Sequence, residues 1–212
     1  MNLKPLLTIW SQPTETLRYL KNETTTSYAI LIFAIAALAS GGYQAGSSGL
    51  FSGLPLGALI PLCILLTFVG ALISWVIGAA IYHWIGKGMF GGTGTFSEML
   101  RVVPGTTLPT IWLAPVNYLV ILGYGKLAFE APPAEALAIT NLPMGVYLIS
   151  MFLTFAVGIY STVISCKGIG LVHGFSAWRG LGVVLVTVVI AIIVSIVISL
   201  IIGIIVISIF SL

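Results

Sequence analysis

The sequence predicts an all-α membrane protein: a bundle of five transmembrane helices, N-terminus cytoplasmic and C-terminus outside. Three observations predict it. Hydrophobic residues make up 59% of the 212-residue chain and charged residues only 6%, against roughly a quarter in a soluble domain. The apolar residues come in continuous runs near the roughly 20 residues that a membrane crossing needs. The 8 Lys and Arg residues sort almost wholly to one side of those runs. So few charges cannot cover a soluble surface. Disorder is excluded, since it needs low hydrophobicity and high charge. The runs do not alternate, which excludes an outer-membrane barrel. A net charge of +3 forms no basic patch for nucleic acid.

The spans are expected over about 28–43, 57–85, 106–124, 142–165 and 181–210. The last exceeds one straight crossing, so tilt or a protruding end is expected. The third holds Pro109, Pro115 and Asn117. Pro115 is expected to release the carbonyl of Ile111 and kink that span near its midplane. The kink reads either as a substrate or lipid notch or, preferably, as a packing feature whose Asn117 bonds a neighbouring helix.

Charge gives the orientation. Lys4, Arg18 and Lys21 precede the first span, Lys87 and Arg101 follow the second, and Lys167 and Arg179 follow the fourth. Basic residues stay inside, and only Lys126, beside Glu130 and Glu135, falls on the other side. Ala37-Leu38-Ala39 resembles a signal cleavage site, but the polar stretch before the first span is too long for a usual leader. Cys63 and Cys166 are expected about a bilayer apart, beyond disulfide reach.

Residues 1–27 read as a cytoplasmic interfacial segment and 28–212 as the transmembrane domain. In the first, Leu6, Ile9, Trp10, Leu17 and Leu20 alternate with polar residues, and Pro13 divides it. Two inner stretches resemble each other: Phe96-Ser97-Glu98-Met99-Leu100-Arg101 and Phe175-Ser176-Ala177-Trp178-Arg179. Thr95 and Glu98 have capping-box spacing, so a short helix is expected to start there. Both stretches are read as amphipathic helices on the inner surface, anchored by Arg101 and Arg179.

Small residues recur every fourth position. The second span carries Gly70, Ser74 and Gly78; the fourth Ser150, Thr154, Gly158 and Thr162; the fifth Thr187, Ala191, Ser195, Ser199 and Gly203. This spacing lets helix backbones approach closely, within one chain or in a homo-oligomer.

Catalytic and cofactor signals do not assemble. Gly86-Lys87-Gly88-Met89-Phe90-Gly91 matches a dinucleotide fingerprint but follows a membrane helix rather than a strand, so it reads as a hinge. Ser48 in Gly46-Ser47-Ser48-Gly49 resembles a rhomboid-type nucleophile, yet both His83 and His173 fall on the opposite side. His83, Cys166 and His173 lack a recognised metal-ligand spacing. No span carries a charge at its centre, which argues against coupled transport. No enzyme activity, cofactor or metal is expected.

The residues resemble a known family. Trp10-Ser11-Gln12-Pro13 with Thr16-Leu17-Arg18, then Gly91-Gly92-Thr93-Gly94-Thr95-Phe96 with Glu98, Arg101 and Pro109, then Gly168 to His173 followed by Ser176 are similar to Yip1-domain (YIPF) membrane proteins of prokaryotic type. The resemblance implies a polytopic scaffold of membranes. Its eukaryotic members act in vesicle traffic, bind one another and associate with prenylated Rab GTPases. They carry a longer acidic N-terminal region, whereas this chain has no Asp, which speaks against small-GTPase binding. A prokaryotic plasma membrane is the expected location. The expected function is membrane organisation or trafficking-type partner recruitment, through lipids or other membrane proteins. Arg18, Glu98, Arg101, His173 and Arg179 are the candidate inner-face contacts. The alternative is a passive carrier, channel or lipid-moving protein using Pro115 and Asn117.

Overall fold

The computed structural model describes residues 3–43, 51, 53–130 and 139–210. Among these it is all-helical, without a strand. Two short helices, α1 (Pro5–Ser11) and α2 (Pro13–Glu23), come first. Each starts with proline, whose missing N–H costs nothing in a first turn. Helix α3 (Thr26–Ala36) runs into a π-helical turn, Ala37–Gly41. The long α4 (Leu56–Gly88) and the short α5 (Phe96–Val102) follow. Two 3₁₀ turns, Val103–Thr107 and Pro109–Leu113, lead into α6 (Ala114–Tyr124), and a third, Gly125–Phe129, leaves it. The chain then forms α7 (Met144–His173) and α8 (Ala177–Phe210).

Four segments are long and apolar enough to cross a membrane: Leu56–Gly88, Phe96–Phe129, Met144–His173 and Ala177–Ile204. Thr26–Gly41, the first expected span, is apolar but shorter. Pro115 does not kink a helix. It sits in the first turn of α6 after the 3₁₀ turn, where it breaks no intrahelical bond. The second expected surface helix does not exist as a separate element. Ala177 begins α8 itself, so Arg179 lies in the first turn of a long helix. Helix α7 runs on through the glycine-rich stretch 168–173 and stops at Gly174. There φ is +73°, a left-handed conformation that glycine takes at no steric cost, and the N–H of Phe175 donates to Gly170 O at 3.0 Å.

The main core lies at one end of the bundle, where α4 and α7 finish and α8 begins. Ile9, Leu17 and Leu20 from α1 and α2, Met99 and Val102 from α5, Ile164 and Ile169 from α7, and Val183 from α8 are buried together. The N-terminal segment is thus part of the packed core, not a strip of apolar residues laid on lipid. At the far end Leu59, Cys63, Val120 and Phe129 form a second cluster. Cys63 and Cys166 are both free thiols. Between the ends apolar side chains face outward: Leu65, Val69 and Ile73 on α4, Phe152, Phe155 and Ile159 on α7. On α8 every residue from Val188 to Ile202 is exposed. A soluble monomer does not leave such a belt uncovered; lipid contact accounts for it.

The small-residue ladders lie on that outward belt. Gly70, Ser74, Thr154, Gly158, Ser195 and Ser199 are exposed, and Gly78 and Gly203 are half-buried. A Cβ built on Gly70, Gly78, Gly158 or Gly203 meets nothing within 4 Å. None of these four glycines draws two described helices together, while Ser150, on the fourth-span ladder, is buried. Close approach falls on other glycines. A Cβ on Gly168 would lie 2.9 Å from Val102 Cγ1, one on Gly170 2.8 Å from Phe175 O, and one on Gly180 would overlap the carbonyl oxygen of Cys166.

Candidate functional site at the basic end

The basic end is assembled from α2, the end of α4, α5 and the α7–α8 corner. Thr95 and Glu98 form the expected capping box: Glu98 N donates to Thr95 Oγ1 at 3.3 Å, and Thr95 N donates to Glu98 Oε2 at 2.8 Å. The other carboxylate oxygen of Glu98 pairs with Lys21 Nζ at 3.1 Å, and both side chains are about a quarter exposed. The same ammonium lies 3.4 Å from Leu171 O. One lysine of α2 therefore ties the N-terminal segment to α5 and to the last turn of α7.

Aromatic contacts reinforce this docking. The Trp10 and Tyr160 rings stack at 4.8 Å, and Tyr160 OH donates to Ile9 O at 2.8 Å. Trp112 Nε1 donates to Leu6 O at 2.9 Å, and Trp75 Nε1 donates to Leu100 O at 2.9 Å.

At the centre sits His173, the last residue of α7, only 2% exposed. Its ring stacks on Phe175 at 5.5 Å and faces His83 at 5.7 Å. Gly86 and Gly92 wall it in: a Cβ on Gly86 would lie 2.5 Å from Nε2, and one on Gly92 would overlap the ring. Of the stretch read as a hinge, Gly86 packs against this imidazole, while a Cβ on Gly88 or Gly91 meets nothing within 4 Å. Thr93 N donates to the His173 carbonyl at 3.2 Å. Among the described residues, neither ring nitrogen of His173 nor Nδ1 of His83 has a hydrogen-bond partner. Burying an unpaired polar atom costs about 1–3 kcal/mol.

The expected inner-face residues divide accordingly. His173 is buried, and Glu98, about a quarter exposed, is paired with Lys21. Arg18 is exposed and pairs with Glu15 at 2.6 Å. Arg101 donates from Nε to Ser97 O at 3.4 Å, and Arg179 is exposed. Lys21 and Tyr160 had no sequence signal, because their partners lie far away in the chain. Ser48 and Glu135 lie outside the described residues.

Asn117 is elsewhere, beside the π-helical turn. A π turn displaces carbonyls from the ordinary helical ladder. Asn117 Nδ2 donates to Ala39 O at 3.3 Å, Tyr118 OH to Leu38 O at 2.5 Å, and Thr67 Oγ1 lies 3.4 Å from Gly41 O. Asn117 is 5% exposed. Its amide is committed to packing. Asn117→Leu is expected to cost about 1 kcal/mol, read as a lower thermal midpoint in detergent. An unchanged midpoint would refute this role.

The apolar spans and the packed basic end define a polytopic helical integral membrane protein. The Yip1 domain model matches residues 7–210, nearly the whole chain. The protein belongs to the Yip1 domain family. Neither the curated proteins nor the solved structures provide a match.

Proposed function

We propose that the protein is a non-enzymatic membrane scaffold of Yip1 type, crossing the bilayer five times with its basic end inside. It recruits anionic lipid headgroups or partner proteins to that end, as in membrane organisation or trafficking-type recruitment, and its location is a prokaryotic plasma membrane. Helix α3 with its π turn supplies the short fifth crossing. The observation that carries the reading is the uneven packing. The folded surface is built at the end holding Lys21, Lys87, Arg101, Lys167 and Arg179, while the rest of the bundle offers mainly lipid-facing side chains.

Arg179 is exposed and Arg101 partly exposed, on two different helices of this end. A basic residue near an anionic surface contributes about 1 kcal/mol, so reversing both is expected to weaken association with anionic vesicles or a captured partner by about tenfold or more. The Arg101→Glu/Arg179→Glu variant should keep its thermal midpoint. Retained binding to both would overturn the reading.

A further inference from the structure

A cleft of about 340 Å³ lies between α7 and α8 at the edge of the basic end. Its lining includes Ile159, Val163, Cys166, Lys167, Trp178 and Leu181. The volume falls in the range of small-molecule pockets, about 300–1,000 Å³. The polar demand of its walls is nearly all met internally: Thr162 Oγ1, also in the lining, donates to Gly158 O at 3.0 Å. Cys166 is buried. What remains is one cation. Among the described residues the Lys167 ammonium makes no ion pair or hydrogen bond.

The cleft is graded along its length. Ile159 and Val163 continue the exposed apolar face of α7 from Phe152 and Phe155, and Lys167 stands one turn beyond Val163 on the same face. Opposite, Leu181 continues toward the exposed Leu185, while Trp178, 81% exposed, closes the polar edge. Tryptophan favours the headgroup level. An apolar slot that opens to hydrocarbon at one end and carries an unpaired ammonium and an indole at the other is complementary to one amphiphile of negative head charge.

We propose that this cleft binds a single anionic phospholipid, its phosphate held by Lys167 and an acyl chain lying on Ile159 and Val163. Basic pockets between membrane helices recognise such headgroups. Neither Arg101 nor Arg179 lines this cleft, so either proposal survives the failure of the other.

The test uses the full chain in phosphatidylcholine bilayers with spin-labelled phosphatidylglycerol or phosphatidylcholine, reading the motionally restricted fraction. Wild type is expected to prefer phosphatidylglycerol. Lys167→Gln should reduce that preference about fivefold, the equivalent of about 1 kcal/mol. Lys87→Gln removes the same charge from the same end outside the cleft and should lower it clearly less than Lys167→Gln does. In a second measurement, brominated phosphatidylglycerol should quench a fluorescence component that disappears in Trp178→Phe, and Val163→Trp, which fills the slot, should lower the restricted fraction. Equal retention of the two lipids, or equal effects of Lys167→Gln and Lys87→Gln, would overturn the proposal. A dimer disrupted by Val163→Trp without lipid preference would assign the cleft to a second copy and overturn it as well.

Discussion

Gly180→Ala is expected to destabilise the protein by more than any other single-methyl change in the bundle. The added carbon would overlap the backbone carbonyl of Cys166, which cannot swing aside as a flexible side chain does. Overpacking costs about 1–3 kcal/mol, and a backbone clash lies at or above the top of that range. The α7–α8 corner would have to separate, carrying with it the seat of His173 and the docked N-terminal segment. The control is Gly158→Ala, four residues from Thr162 on the outward face, where a Cβ meets nothing within 4 Å. Alanine there should raise stability slightly, because glycine in a helix interior is less favourable than alanine by about 1 kcal/mol. Thermal midpoints in one detergent compare the two. Equal shifts would show that the α7–α8 contact is not a close one.

Lys21→Glu comes next. It places two carboxylates where an ion pair holds α2 to α5, and it withdraws the ammonium from Leu171 O. An exposed pair would contribute little. This one is three-quarters covered and charge-assisted, so its reversal is expected to cost about 1–3 kcal/mol of docking free energy. Trypsin should then cut after Arg18 markedly faster than in wild type. Lys21→Glu/Glu98→Gln removes the repulsion while keeping a capping side chain, and protection should partly return. Cleavage as slow as in wild type, or no recovery in the double variant, would show that the lysine does not secure the segment.

Much of this fold was legible in the residues. Continuous runs of Ile, Val and Leu placed α4, α7 and α8, since nothing else in a chain this short satisfies such runs. Their ends were less visible. Hydropathy falls after Ile85 and Ser165, yet the helices continue to Gly88 and His173. Glycine reads as a helix breaker, and at 168 and 170 it is present for close packing against Val102 and Phe175. The capping box of Thr95 and Glu98 was legible because its geometry is local. The partner of Glu98 was not: Lys21 is brought to it only by the fold. His173 reads as an interfacial imidazole by type, and its burial follows from Gly86 and Gly92, whose bare edges make the room. The four-residue ladders were real as a pattern, but spacing cannot say whether a helix face meets its own chain or something outside. Pro115 was misplaced for a related reason: proline marks a discontinuity without telling whether a helix bends there or begins there.

The long uncovered stretch of α8 has a mechanical consequence. The helix has 34 residues, about 51 Å, while the hydrocarbon layer is about 30 Å. Among its described side chains, the buried and core-packed ones lie in its first three turns, around Gly180, Val183 and Val186. Held at one end like a hinged rod, it changes its angle to the bilayer normal without disturbing the core. A thicker membrane draws it upright and a thinner one lays it over, at a fraction of a kcal/mol per Å. Bilayers of different thickness would therefore be met by different inclinations of this one helix.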